Sequence, residues 1–355
     1  MRTTWMLPVT MTVSAALSAC APGNVSGDAG PEDQPPQCDG AEYVAFDAAN
    51  HANQDLRVQA YVDMMALLDE AKADPSLASA KFTAAEDLYL NTASLADKVQ
   101  GRNDDHLESP TNVGADLHAT LLAGFDAGKS ASTALEVSLA KQAVDKTLIE
   151  FFFLSVHHEM LLGARDKWDE AYGYFGSGPA NAEADLKALA SVAKKRDDGN
   201  GTQLGSTIFN GLVDGTCELA RILEAEGKEE IDPREHDALW TIIEETDLAM
   251  QKVLAFSAGH EAFEMVEIQG DLAADPTNQA LIDEMYVKLA ELNPYFRPLE
   301  RIMSDKGGDS LARAGEIRAA IDAALADDTG AWVATFDAAG VLTRLEAEYA
   351  IDVVQ

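Results

Sequence analysis

Basic residues are scarce in this chain. Its 355 residues include 26 Lys and Arg against 61 Asp and Glu, which leaves a formal net charge of −35. An acidic surface repels nucleic acid, and it does not dock on a membrane of anionic lipid. Excess acid is compatible with cation binding and equally with a solvated acidic surface. The charge therefore excludes nucleic acid as an expected partner and leaves cations open.

Several enzyme signatures are also missing. The chain has no Gly-x-Ser-x-Gly nucleophile elbow, no phosphate-binding glycine loop and no nucleotide fingerprint. It has no Glu-x-x-His, which removes the carboxylate-bridged di-iron bundle from consideration. Its three cysteines are too few and too scattered for a structural zinc site. These absences favour a protein that is not an enzyme of a common class.

The N-terminus carries an export signal. The apolar run at residues 5–17 is too short to span a bilayer, and it ends in Leu-Ser-Ala-Cys at Cys20. That motif resembles the lipobox of bacterial lipoproteins, in which the peptide is cut before the cysteine and the cysteine is acylated. We expect residues 1–19 to be a signal peptide and Cys20 to anchor the chain in a membrane. By the same resemblance, Ala21 favours the outer membrane; the alternative is an ordinary secretory signal.

A tether and a folded domain follow the signal. Residues 20–40 are rich in Pro, Gly and Asp and have almost nothing to bury, which predicts a flexible tether. Residues 41–355 are the predicted helical domain, either one domain or two bundles. Cys38 and Cys217 form an even pair in an oxidising compartment, so we predict a disulfide between them, with two unpaired thiols as the alternative.

Helical periodicity dominates the rest of the chain. No alternating apolar run with hairpin signals occurs, so we predict an all-α fold of about nine or ten helices in antiparallel bundles. A capping box at Thr133 and Glu136 starts the longest pattern, which either continues for about 40 residues or kinks near Gly163. A later helix is predicted to end where Pro294 follows Asn293.

The centre of the longest pattern, residues 151–176, mixes apolar and ionisable side chains. At about 100° per residue, His158, Arg165 and Asp169 lie together beside an apolar stripe, which predicts a polar cluster there. His157 and His158 are adjacent, so they point in different directions and cannot both bind one ion without help from another helix.

The loop at residues 102–110 collects Asp104, Asp105, His106 and Glu108. These side chains are compatible with an oxygen-rich cation site. The loop lacks the spacing of an EF-hand, however, and we interpret it as a solvated loop.

The sharpest metal candidate is His260, Glu264 and Glu267, which lie at positions i, i+4 and i+7. One helix face then presents an imidazole and two carboxylates to a divalent or ferric ion. The alternative is a helix with one buried histidine and a solvated acidic edge. His260, Glu261 and Glu264 also resemble a zinc-protease helix whose second histidine is replaced by glutamate, which keeps a metallopeptidase as an alternative.

The segment from residue 167 to 176, KWDEAYGYFG, resembles a family of exported bacterial lipoproteins of unknown function in the imelysin-like group. The matching residues are Trp168, Asp169, Glu170 and Tyr172. The resemblance implies two helical bundles side by side, with links to iron uptake and to peptidase activity. The metal motif Gly-x-His-x-x-Glu of imelysin itself is not matched near His260. For the matched residues we therefore expect a structural role, with the Trp168 indole packed in the core.

Three hypotheses follow. The first is a lipid-anchored extracytoplasmic helical protein that binds a metal ion such as iron. The second is a metallopeptidase, and the third is a surface protein that binds a partner without chemistry.

Overall fold

The computed structural model describes residues 42–353. The predicted signal peptide, Cys20, the tether and Cys38 lie outside these residues. Thirteen helices occupy most of the described part: α1 Ala52–Ala73, α2 Ala78–Asn91, α3 Leu95–Gln100, α4 Gly114–Ser130, α5 Ala134–Leu161, α6 Arg165–Phe175, α7 Ala188–Asn200, α8 Leu204–Glu226, α9 Asp237–Ala274, α10 Gln279–Lys306, α11 Gly308–Ala326, α12 Trp332–Thr335 and α13 Ala338–Tyr349. Single 3-10 turns occur at Pro75–Leu77, Glu183–Asp185 and Pro233–Glu235.

The all-α prediction is confirmed, although the described region has more helices than the nine or ten expected. Its only strands are β1 Asn103–Asp104 and β2 Thr111–Asn112, which pair antiparallel and close the loop between them. None of the described helices is both long and apolar enough to cross a bilayer. A division into two bundles stays a prediction.

Helix α5 is the centre of the fold. The capping box at its start is present, because Thr133 accepts from the Glu136 amide and Glu136 accepts from the Thr133 amide. Every residue from 147 to 157 is buried, and α1, α4, α6, α9 and α10 pack around the helix. A helix buried on all sides has no single apolar stripe. Polar side chains on α5 therefore lie in the protein interior and need partners from other helices.

The break predicted as one alternative near Gly163 is present. Helix α5 ends at Leu161 and α6 begins at Arg165. Gly163 has a φ of 59°, and a Cβ there would lie 2.1 Å from the carbonyl oxygen of Ile231. Only glycine combines this left-handed conformation with so close a backbone contact. Side chains before and after the turn are therefore not on one helical face.

The predicted end of a helix at Pro294 is wrong. Pro294 and Pro298 both lie inside α10 and are buried. A proline costs a helix one hydrogen bond, but here the neighbouring Tyr295, Phe296 and Leu299 are buried in the core. Their burial offsets that loss, and the helix continues and carries two arginines to α5.

Candidate metal centre

His106 lies in the loop between β1 and β2, with its ring between two carboxylates. Its Nδ1 is 2.8 Å from Oδ1 of Asp104, and its Nε2 is 2.8 Å from Oδ1 of Asp247 on α9. The ring is 3% exposed, and Asp104 is fully buried. The interpretation of this loop as solvated therefore fails at Asp104 and His106 and holds for residues 108–110, which are exposed. The short β-pairing closes the loop, and its Asp104 and His106 contact α5, α9 and α10.

His157 of α5 stacks on His106. The ring centroids are 3.8 Å apart and the ring planes differ by 14°. Nδ1 of His157 is 3.2 Å from Oδ1 of Asp247, but it lies outside hydrogen-bond geometry, so this buried nitrogen has no hydrogen-bond partner. An unsatisfied polar atom in the interior is costly. It marks a place where a bound cation would supply the missing interaction.

His106, His157 and Asp247, which we call the metal triad, bring three possible metal-ligand atoms together. Their ligand atoms all lie within 4.8 Å of one another, and this is the one such group of three or more found in residues 42–353. A tetrahedral ion with bonds of about 2.1 Å keeps its ligand atoms about 3.4 Å apart. Two imidazole nitrogens and a carboxylate oxygen suit iron(II) and zinc.

Asp104 is held by a buried ion network. Its second oxygen accepts from Nε of Arg301 at 2.6 Å. Arg301 also donates to Glu150 at 2.9 Å, and Glu150 accepts from Arg297 as well. Both arginines are on α10: Arg297 lies between the two prolines, and Arg301 lies beyond them. The network fixes Asp104, and Asp104 in turn fixes the orientation of the His106 ring.

Asp247 is held in a similar way. Its Oδ2 accepts from Nε2 of Gln251, one turn further along α9, at 2.6 Å. A carboxylate only accepts, so the amide must present its nitrogen on this side. Gln251 thereby occupies one carboxylate oxygen and leaves Oδ1 to the two imidazoles.

The charges of the triad stabilise one another. Burial by itself would lower the pKa of His106, but the Asp247 carboxylate and the hydrogen bonds with both aspartates raise that pKa to about 9. Burial and the charge of His106 lower the pKa of His157. Burial opposes ionisation of Asp104, yet His106 and Arg301 lower its pKa to about 2. The pKa of Asp247 is lowered, against burial, by both histidines. These shifts favour an imidazolium at His106 between the carboxylates of Asp104 and Asp247.

A cavity of about 870 Å³ adjoins the triad, and all three triad residues line it. Leu162, Arg234 and Lys306 line it too and are exposed, so the cavity reaches the surface. His158 and Asp105 form another part of the wall and pair with each other, Nδ1 to Oδ2, at 2.6 Å.

The residues predicted as metal ligands have other partners. Nε2 of His260 is 3.4 Å from Oε1 of Glu264, and Glu264 forms an ion pair with Lys288 of α10. Glu267 is exposed. The adjacent Glu261 is buried and contacts Lys288 at 3.2 Å. A metal at His260, Glu264 and Glu267 stays a prediction.

The predicted cluster of His158, Arg165 and Asp169 is not formed. His158 pairs with Asp105, and Arg165 lies over the ring of Phe46. Asp169 is fully buried and accepts four hydrogen bonds from the chain before α1, donated by the Tyr43 hydroxyl, the Phe46 and Asp47 amides and the Asn50 side chain. The turn at Gly163 separates His158 from the other two.

The other residues of the segment at 167–176 have structural contacts. Trp168 is fully buried and donates from Nε1 to the Leu212 carbonyl at 2.8 Å. Tyr172 stacks on Tyr43 with centroids 3.7 Å apart, and Glu170 accepts from Gln54 and Lys167. Cys217 on α8 is disulfide-bonded; its pairing with Cys38, which lies outside the described residues, stays a prediction.

Sequence reasoning missed Asp247 altogether and gave His106 the wrong environment. One signal was available for His106, which two consecutive aspartates precede. Asp247 has no such signal, because it lies in a helix rich in acidic residues, and only packing distinguishes it. Comparison with protein families, with curated proteins and with solved structures finds no match for this chain.

Proposed function

We propose that this protein is a lipid-anchored, extracytoplasmic helical protein that binds a divalent transition-metal ion, iron(II) first among them, through His106, His157 and Asp247. The observation that carries the proposal is the meeting of three buried ligand atoms, Nδ1 of His157, Oδ1 of Asp247 and Nε2 of His106, within 4.8 Å of one another. Two histidines and one carboxylate are the donor set of non-haem iron(II) sites.

The surroundings support the proposal. Metal-binding histidines commonly donate a hydrogen bond from their other ring nitrogen to a carboxylate, which fixes the orientation of the ring. Nδ1 of His106 meets Asp104 in this way, and Arg301 holds Asp104 in turn. The acidic chain, with a net charge of −35, attracts cations to its surface.

Metal titration of the full-length chain in detergent tests the binding. After removal of metal, we expect one iron(II) or zinc(II) per chain in calorimetry. Asp247→Asn and His157→Leu should each weaken binding at least a hundredfold, because either change removes one of three ligands. The double variant His260→Ala, Glu264→Ala is the matched control and should bind normally. Circular dichroism checks that every variant is folded, and full-strength binding by folded Asp247→Asn would refute the site.

The anchor has its own test. The lipobox at Cys20 supports acylation, and Cys20→Ser should move the protein from the membrane fraction to the soluble periplasmic fraction. Cys38→Ser, a cysteine change in the tether, should leave it in the membrane. If Cys20→Ser stays in the membrane fraction as Cys38→Ser does, the anchor is contradicted.

The metallopeptidase alternative has no observation in its favour. Its proposed base, Glu261, is buried and is ion-paired with Lys288. No described residue near it completes a second imidazole ligand.

A further inference from the structure

The metal triad supplies fewer ligands than a transition metal takes. Its three atoms leave at least one position of a four-coordinate ion unfilled and three of a six-coordinate ion. Nε2 of His106 and Oδ1 of Asp247 face each other, and the Nδ1 and Oδ2 atoms of these residues are used by Asp104 and Gln251. All three triad residues line the cavity, so further ligands can reach the ion from that side.

The cavity is much larger than those ligands would need if they were water. Its volume of about 870 Å³ compares with about 30 Å³ for one water molecule and lies within the range of about 300–1,000 Å³ of sites for small organic ligands. Much of its wall is apolar, formed by Leu107, Leu161, Leu162, Trp240, Ile243 and Ile302. Such a wall favours an organic body over solvent.

The charge of an ion on the triad favours an anionic head for that ligand. A divalent ion on Asp247 and two neutral imidazoles leaves one positive charge. The remaining ionic groups behind it pair among themselves, Asp104 and Glu150 with Arg301 and Arg297. A ligand head with one negative charge would neutralise the ion. His158 lines the same cavity, and its Nδ1 is occupied by Asp105. Because the Asp105 carboxylate accepts from Nδ1, Nε2 of the neutral ring is an acceptor, and it is left to accept an N–H of the ligand head.

We propose that the cavity takes a small organic chelator that binds the metal through two oxygen atoms carrying a single negative charge, with its apolar body against Trp240 and Ile243. The protein would then bind a metal together with its organic ligand. This inference rests on the proposed metal site. Hydroxamates have this head and serve as probes.

The test uses the full-length chain loaded with cobalt(II), whose visible absorption reports its coordination. Acetohydroxamate and benzohydroxamate are titrated into the loaded protein, and gel filtration then measures the cobalt that stays bound. We expect a saturable change at one hydroxamate per cobalt, with cobalt retained. Benzohydroxamate should bind at least tenfold more tightly, because its ring covers the apolar wall.

Two variants locate the ligand. His158→Ala should bind cobalt normally and both hydroxamates about tenfold more weakly, since a hydrogen bond from the hydroxamate N–H to Nε2 is lost. His51→Ala is the matched control, because His51 also pairs with an aspartate, Asp55, but lies outside this cavity. Failure to bind cobalt would refute the proposed function and this inference together. Bound cobalt with an unchanged spectrum, extraction of cobalt by the hydroxamate, or equal affinity for both hydroxamates would refute this inference alone.

Discussion

His106 and His157 stack face to face, with ring centroids 3.8 Å apart, although one lies in a loop and the other in the central helix. Two imidazoles in such contact repel each other if both are protonated to imidazolium, which costs electrostatic free energy. The structure accordingly raises the pKa of His106 and lowers that of His157. One neutral and one protonated ring around Asp247 is the arrangement that a metal ion would replace.

Asp104 should matter for metal binding although it is not a ligand in the proposed site. Asp104→Asn keeps the shape of the side chain but removes the charge that holds the His106 ring. We expect metal affinity to fall about 10–100-fold, measured by calorimetry. Asp126→Asn, at an exposed aspartate paired with Lys129, is the control and should change nothing. Unaltered affinity in folded Asp104→Asn would mean that the ring orientation needs no carboxylate.

Asp169 should fix the segment that leads from the N-terminus into α1. Asp169→Asn leaves one acceptor oxygen for four donors, so we expect a loss of about 2–4 kcal/mol in the free energy of unfolding. Urea denaturation measures it, and amide exchange at Phe46 and Asp47 should accelerate. Asp166→Asn, at a partly exposed aspartate in the same helix, should stay within about 0.5 kcal/mol of the parent. A loss equal to that of the control would contradict this role.

The fold was predictable where its signals are local. The capping box at Thr133 and the helical periodicity depend on residues a few positions apart, and both were interpreted correctly. The candidate site was not predictable, because His106, His157 and Asp247 are far apart in sequence and meet only through packing of the loop, α5 and α9. The apolar stripe predicted for residues 151–176 did not locate the site either. Helix α5 is buried on every side, so any of its faces can carry a site.

Gly215 should be required by the position of Trp168. A Cβ on Gly215 would lie 2.0 Å from Cζ2 of the buried indole. Gly215→Ala should therefore cost about 1–3 kcal/mol of stability, measured by thermal or urea unfolding. Gly270→Ala, also within a helix but with nothing within 4 Å of the added atom, should stabilise the protein by up to about 1 kcal/mol. Equal effects at the two positions would contradict the packing described for Trp168.

Glu291 should make stability depend on pH near neutrality. Burial, followed by the neighbouring Glu261 carboxylate, raises its pKa from the ordinary 4.5 to about 7. The folded state holds the Glu291 proton more tightly than the unfolded state. The protonated carboxyl therefore contributes fully to the free energy of unfolding below pH 4.5, and this contribution is lost as pH rises through 7. Glu291→Gln should flatten that decline, which we expect to be on the order of 1–3 kcal/mol.

Urea denaturation at several pH values between about 5 and 8 measures the slope. Glu284→Gln, at an exposed position of the same helix, should keep the slope of the parent. A slope that persists unchanged in Glu291→Gln would assign the pH dependence to another group.

The most direct test of the proposed site is anomalous diffraction from crystals of the protein grown with cobalt(II) or zinc(II). We expect the strongest anomalous peak between Nε2 of His106, Nδ1 of His157 and Oδ1 of Asp247, with bonds of about 2.0–2.2 Å. A peak at His260 and Glu264 with none at the triad would contradict it, as would crystals without a bound metal at either place.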